Sequence, residues 1–343
     1  MRLISPDYYP QFRCIADKCR HSCCIGWEID IDTDMREKYR RVPGEFGARL
    51  NAAIEDGEVS CFRMLKVGQS PTSDSDCLQS PSVASTRPCA EGWPVCPMLN
   101  QNGLCDLITE LGEDHLCQIC ADHPRFRSFF TDRTEIGLGM CCEEAARIIL
   151  TREAPMHLIV LEDDGADDEP NDEEANLLAL RGELIALMQD RARPIEARLD
   201  TLLDAVNLAI PERDWAAVYR GLERLDPAWD NMLDAISSFN ATSAPRGLSD
   251  RSLAFDTAFE QFCVYLLYRH LPGALEDDDV PGRVAFCVLS TQVLMALCAA
   301  KTDCTMADVL DFARMYSAEI EYSEDNIAAL LDALWEDCHG EPA

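Results

Sequence analysis

The chain has 343 residues, enough for about two domains at roughly 100–200 residues each, and it carries 18 cysteines. Its 62 acidic and 30 basic residues give a formal net charge of −32, a field that repels phosphate backbones and excludes a nucleic-acid binder. Only Lys18, Lys38, Lys66 and Lys301 are lysines, so the acidic surface is suited to solubility and to attracting a basic, lysine-bearing protein segment. No charged start leads into an apolar run with a cleavage site, so a cytoplasmic protein without a signal peptide is expected. In that compartment a disulfide framework is not.

The cysteines are unevenly spread. Thirteen of them lie at or before Cys142, and only Cys263, Cys287, Cys298, Cys304 and Cys338 follow. The expected fold is mainly α: an irregular, Cys-rich, metal-binding domain with a small β-hairpin over residues 1–160, an acidic linker over 161–174, and an α-helical bundle over 175–343. The stretch FRCIADKCRHSCCIGWEIDID, residues 12–32, opens the first part with Cys14, Cys19, Cys23 and Cys24 in a C-x4-C-x3-C-C array. Four thiols give little apolar volume to a core. As soft ligands they suit zinc, copper(I) or iron–sulfur clusters.

Glu28, Asp30 and Asp32 alternate with Ile29 and Ile31, the pattern of a strand with three acids on one face. These acids read as a solvated face and a helix cap, and Trp27 as core. Residues 34–41 and 45–56 read as short helices, punctuated by Gly44 and Gly57. Residues 58–65 read as a strand. The Ser-, Pro- and Asp-rich residues 67–92 show no apolar period and read as a mobile loop. Cys61, Cys77 and Cys89 flank or sit in that loop and are left out of the ligand set.

A second cysteine cluster follows: Cys96, Cys105, Cys117 and Cys120, with Cys141 and Cys142 beyond. Asn102-Gly103 marks a turn inside it. Residues 125–130 and 134–139 read as a hairpin around Thr131, Asp132 and Arg133. Cys141-Cys142 opens a helix with Glu143 and Glu144 in its first turn, where the helix dipole favours acids. After the acidic linker the apolar residues Leu177, Leu180, Leu184, Leu187 and Met188 recur at helical spacing. Pro194, Pro211 and Pro227 mark the starts of further helices. Residues 254–270 and 284–300 are apolar on most sides, as in the centre of a bundle, and Ser290, Thr291 and Gln292 argue against a membrane span. Residues 305–320 and 323–335 close the bundle.

Two thiol clusters separated by a loop suit a metal fold, either zinc with four N/S ligands or a [4Fe-4S] cluster with four thiolates. The abundance of thiols favours iron–sulfur, with room for a second metal. His21, His115 and His123 flank the clusters but are more often exposed or hydrogen-bonded than ligating. Adjacent Cys23 and Cys24 point in different directions, so their roles differ unless both bind. No strand, Gly-rich loop and helix unit marks a nucleotide-type site. Gly137-x-Gly139 reads as close packing beside the cysteines. Cys19-x3-Cys23 matches the first half of a radical CxxxCxxC motif, but Gly26 stands where its last cysteine belongs.

The 12–32 stretch, together with CPMLNQNGLCDLITELGEDHLC and CADHPR, resembles the flagellin lysine-N-methylase family, which is related to zinc- or iron-chelating proteins with a CxxCxxCC signature. CCEEAARIIL looks like the family's Cys-Pro-Glu-Ala-Ala-Arg stretch, with Cys142 in the cysteine position and Glu143 replacing proline. FEQFCVYLLYRHL, residues 259–271, is similar to the family's C-terminal helical segment. The specific motifs lie in 12–32, 96–125 and 137–150. The departures are the insert before Cys96, the extra Cys117 and Cys141, and the acidic linker. The resemblance implies methyl transfer from S-adenosylmethionine to lysine side chains of flagellin or another lysine-bearing protein, with a [4Fe-4S] cluster required and zinc as the alternative metal. Its implied metal ligands are Cys14, Cys19, Cys23, Cys24, Cys96, Cys105, Cys120 and Cys142. It assigns no catalytic base and no S-adenosylmethionine-binding residues. A non-enzymatic metal module with a structural or redox-sensing role is the competing reading.

Overall fold

The computed structural model describes residues 1–66, 94–166, 169–237, 239 and 253–339. The mobile loop expected at 67–92, with Cys77 and Cys89, lies outside the described residues. The chain is mainly helical with small sheets, and it divides into two compact units: Met1–Phe12 with Pro124–Ala343, and Arg13–His123.

In the larger unit a four-stranded sheet has the order Arg125–Phe129, Arg133–Leu138, Arg2–Pro6, Leu158–Asp163. The first two strands form the expected hairpin, with Arg125 opposite Leu138 and Phe129 opposite Thr134. Arg2–Pro6 runs parallel to Arg133–Leu138 and antiparallel to Leu158–Asp163. The boundary drawn near residue 160 from cysteine density therefore falls inside this unit. Strand pairing joins residues 2–6, 125–138 and 158–163, whatever their cysteine content.

The expected linker is also shorter than the acidic run. Residues 161–163 finish a strand, and helix Asp172–Met188 already begins within it. Asn171 caps that helix through Glu174 N–H at 2.9 Å, and Glu174 returns a bond to the Asn171 amide. This reciprocal pair satisfies two otherwise orphaned helix amides. Glu174 also accepts from the backbone N–H and hydroxyl of Thr131, which explains why an acid of the run is buried.

The helices of the larger unit follow the apolar period. Pro194 and Pro227 occupy the N-cap positions of Ile195–Ala205 and Ala228–Ala235. Pro211 precedes Trp215–Arg220 and accepts the Trp215 indole N–H. Leu253–His270 and Val280–Ala300 are the central pair. Val280–Ala300 is long and apolar enough to cross a membrane, with a mean hydropathy of 1.7, but 83% of that window is buried among the unit's other elements. It is thus the expected core helix. The core runs from Tyr8, Phe12 and Leu138 through Trp215, Trp229 and Phe262 to Tyr316 and Leu334. The glycines read as packing residues are packing residues: a Cβ on Gly137 would stand 2.2 Å from the Phe126 ring, and one on Gly139 2.2 Å from Tyr322 Oη.

The smaller unit has its own core, built from Ile29, Ile31, Met35, Tyr39, Leu50, Ile54, Phe62, Met98 and Leu107. Helix Thr33–Arg40 forms nearly as expected, whereas the second helix stops at Ala52 and Ile54–Glu55 becomes a strand. The alternating WEIDID stretch is extended only over Asp30–Ile31, where it pairs with Cys61 and Ser60. Asp32 leaves the strand because it caps the following helix, accepting Met35 N–H at 2.9 Å and, with its other oxygen, Gln118 N–H at 2.8 Å. Asp32→Ala should lower stability by about 1–2 kcal/mol, the usual cost of a lost cap, as a shift of the urea midpoint at unchanged slope.

Candidate metal centre

Backbone pairing within the smaller unit gathers the thiols. Cys96 N–H donates to the Cys24 carbonyl at 2.8 Å and Gly26 N–H to the Pro94 carbonyl at 2.9 Å, with Ile25 bridged to Val95. Cys24 and Cys96 are thereby held on paired backbone. Gly26 takes φ of +99°, a conformation that suits glycine, so the missing third cysteine of a radical motif coincides with a backbone need. From Cys96 the chain makes a tight excursion. Asn100 Oδ1 accepts Asn102 and Leu104 N–H, and Asp106 N–H returns to the Met98 carbonyl at 2.7 Å. Asn102-Gly103 is the turn that the sequence marks, with Gly103 at φ +73°. Cys105 therefore arrives at the N-cap of helix Asp106–Leu111.

The Cys24 thiol stands beside those of Cys105, Cys23 and Cys96, and its neighbour Cys105 is the largest influence raising it well above its ordinary range. Cys105 is pulled down to about 7, first by its neighbour Cys24, with burial opposing and the backbone amides of Ile108 and Leu107 assisting. Amides at a helix N-terminus favour a thiolate in this way. A second pair repeats the arrangement. Cys117, fully buried, is the N-cap of helix Gln118–Asp122. Its thiol is lowered by its neighbour Cys120 and by backbone amides, while Cys120 is raised, chiefly by Cys117. Cys120 also lies within electrostatic reach of Cys96 and Cys23.

Of the eight implied ligands, the structure therefore brings together Cys23, Cys24, Cys96 and Cys105, with Cys120 nearby. The described contacts of Cys14 and Cys19 are local: Cys14 accepts Ala16 N–H at 3.4 Å, and Cys19 donates to the His21 carbonyl at 2.8 Å. Cys142 belongs to the larger unit, as N-cap of helix Glu143–Leu150. Cys117, an extra cysteine outside the implied ligand set, is the more deeply buried member of its pair. Its signal was the C-x2-C spacing to Cys120 at a helix start. Trp27 packs against the small core, donates its indole N–H to the Cys23 carbonyl at 2.8 Å and stacks on His123. Glu28 and Asp30 are exposed.

Among the described residues no three His, Cys, Asp or Glu side chains are set as a coordination shell. The donor chemistry nevertheless fits a soft metal, since sulfur converges from three backbone segments on one small core. A separate cavity of about 300 Å³ lies in the larger unit, lined by Glu223, Glu319, Tyr322, Glu324 and Asp325 among others, and no thiol lines it.

Comparison with known proteins finds this thiol-bearing chain similar to proteins named lysine-N-methylase. Over 145 residues, 42% of its length, it is 26% identical to the lysine-N-methylase of Salmonella choleraesuis (strain SC-B67) and 25% identical to that of Salmonella typhimurium (strain LT2). It is also 25% identical, over 145 residues, to the flagellar biosynthetic protein FliU of Salmonella muenchen, covering 75% of that relative. The resemblance read from the motifs is thus shared with curated flagellin lysine-N-methylase-like proteins. The matched part spans about a third, 31%, of the two lysine-N-methylases. No family profile and no solved structure matches the chain.

Proposed function

We propose that the protein methylates lysine side chains of flagellin or a similar lysine-bearing protein in the cytoplasm, using S-adenosylmethionine and a [4Fe-4S] cluster held by its thiols. The observation that carries this reading is the gathering of Cys23, Cys24, Cys96 and Cys105 in a chain that is similar to lysine-N-methylases. Cys24, Cys96 and Cys105 are the first candidates to hold the cluster, with Cys23 and the Cys117–Cys120 pair beside them. When bound, such a cluster would supply redox-active iron, with the cysteine thiolates as its ligands. The transfer needs a neutral lysine Nζ, whose lone pair takes the methyl group as the sulfonium becomes a thioether. The proton it sheds passes to a positioned base or to water. The acidic surface draws in a basic protein segment.

The test is incubation of anaerobically purified, iron-loaded protein with methyl-labelled S-adenosylmethionine and isolated flagellin. Label on flagellin lysines is the expected result. Full iron and sulfide content without label would favour the competing reading, a non-enzymatic metal module, which the match to only a third of the lysine-N-methylases already makes worth testing. Zinc in place of iron, by metal analysis, would overturn the cluster.

A further inference from the structure

The four-stranded sheet of the larger unit ends on strand Leu158–Asp163, whose one sheet neighbour is Arg2–Pro6. Among the described residues no backbone group hydrogen-bonds to the strand's outer edge. An open edge turns unpaired amides and carbonyls to solvent and is a template for a further strand. Native chains usually blunt such an edge with lysine or proline, and LIVLED contains neither.

The edge has two chemically different halves. Leu158 and Val160, two residues apart, project from the same face and are 39% and 53% exposed. The register against Arg2–Pro6 then slips by one residue at Leu161, and beyond that bulge stand the exposed acids Glu162 and Asp163. Asp163 accepts the Gly165 N–H and Asp164 pairs with the Met1 amine, whereas Glu162 has no described partner. In sequence the acids continue through Asp167, Asp168 and Glu169.

A second copy of the chain is a poor occupant. Antiparallel pairing of this strand with itself in full register sets Leu158 opposite Asp163 and Ile159 opposite Glu162, and parallel pairing sets like acids side by side. The net charge of −32 adds repulsion between copies. An extended segment that alternates apolar and basic residues satisfies both halves. Main-chain pairing supplies affinity in such strand addition, and alternate side chains supply specificity.

We propose that the outer edge of Leu158–Asp163 docks an extended, lysine-bearing peptide segment as a fifth strand, with apolar side chains on Leu158 and Val160 and ammonium groups toward Glu162 and the acids that follow. That this segment is the methylation substrate rests on the function proposed above. The pairing itself does not.

The experiment titrates full-length protein into a fluorescein-labelled decapeptide of alternating valine and lysine, read by anisotropy. Two further probes are a valine–glutamate counterpart and the valine–lysine peptide with two adjacent central prolines, which remove pairing donors from both of its edges. The protein variants are Val160→Ser and Glu162→Lys, both at exposed positions. The expected result is binding of the valine–lysine peptide alone, with slowed amide exchange at residues 158–163. Val160→Ser should weaken it about tenfold, the effect of losing one apolar contact, and Glu162→Lys should weaken it further at low salt than at high salt. Equal binding of the proline peptide, or binding with unchanged exchange at 158–163, would overturn strand addition. No binding of the valine–lysine peptide would overturn the docking site. Self-association by sedimentation that is lost in Val160→Ser would make a second copy the occupant and overturn the assignment. The assay contains no S-adenosylmethionine, so its failure leaves the methyl-transfer test untouched, and failure of methyl transfer leaves this one untouched.

Discussion

Glu260→Ala should destabilise the protein by about 3–5 kcal/mol, the cost of stripping one partner from a buried ion pair. Glu260 is fully buried on the central helix Leu253–His270. It accepts Arg191 Nε and Nη2 at 2.9 Å each and Arg198 Nη1 at 2.7 Å. Arg198 is only 3% exposed, so losing the carboxylate leaves a guanidinium in the core with one remaining bond, to the Met188 carbonyl at 2.8 Å. Arg191 reaches water and also donates to the Glu153 carbonyl. It should therefore tolerate the change. The double variant Glu260→Ala, Arg198→Met should recover much of the loss, because it removes the stranded charge together with its partner. Urea unfolding of the wild type and both variants measures this. Equal midpoints for the single and double variants would show that lost packing at position 260, not stranded charge, sets the cost.

The second large effect belongs to the smaller unit. If its thiols hold metal, binding free energy is also folding free energy. Anaerobic chelation should then open residues 13–123 to protease while the larger unit stays protected by its own apolar core. Cys24→Ser should act like the chelator, since Cys24 joins Cys23, Cys96 and Cys105. Cys14→Ser should keep most of the metal, because Cys14 is exposed and its described bond is local. Metal analysis of both variants, followed by limited proteolysis, makes the comparison. Full metal in Cys24→Ser with loss in Cys14→Ser would invert the assignment drawn from the thiol network.

The helices were legible because burial on one face leaves a 3.6-residue period in the sequence, as in Asp172–Met188, and burial on all faces leaves a continuous apolar run, as in Val280–Ala300. The hairpin was legible because its turn is local. Strands Arg2–Pro6 and Leu158–Asp163 were missed because what makes them strands is each other and Arg133–Leu138, distant in sequence. Asn171 and Glu174 show a subtler failure. Their N-x-x-E spacing is a helix-start signal, but the surrounding acids read as a solvated charge run. At the thiols, the spacing revealed which segments matter. Which sulfurs meet depends on the pairing of residues 24–26 with 94–96 and on where two short helices begin. Cysteine count carries neither fact. The turn before Cys141 and Cys142 is held by Tyr265, which accepts the Met140 N–H from more than a hundred residues away.

The placement of residues 13–123 between a strand and the rest of its sheet has a consequence for synthesis. Arg2–Pro6 lies inside the sheet, flanked by Arg133–Leu138 and Leu158–Asp163. On the ribosome it emerges before its partners, which come much later. At about 5–20 residues per second, the strand waits on the order of ten seconds with both edges open, while the smaller unit can complete its own core. The nascent chain therefore folds its guest before its host. The period in which a chaperone is most needed, and in which two chains could exchange first strands, ends only when residue 163 clears the exit tunnel.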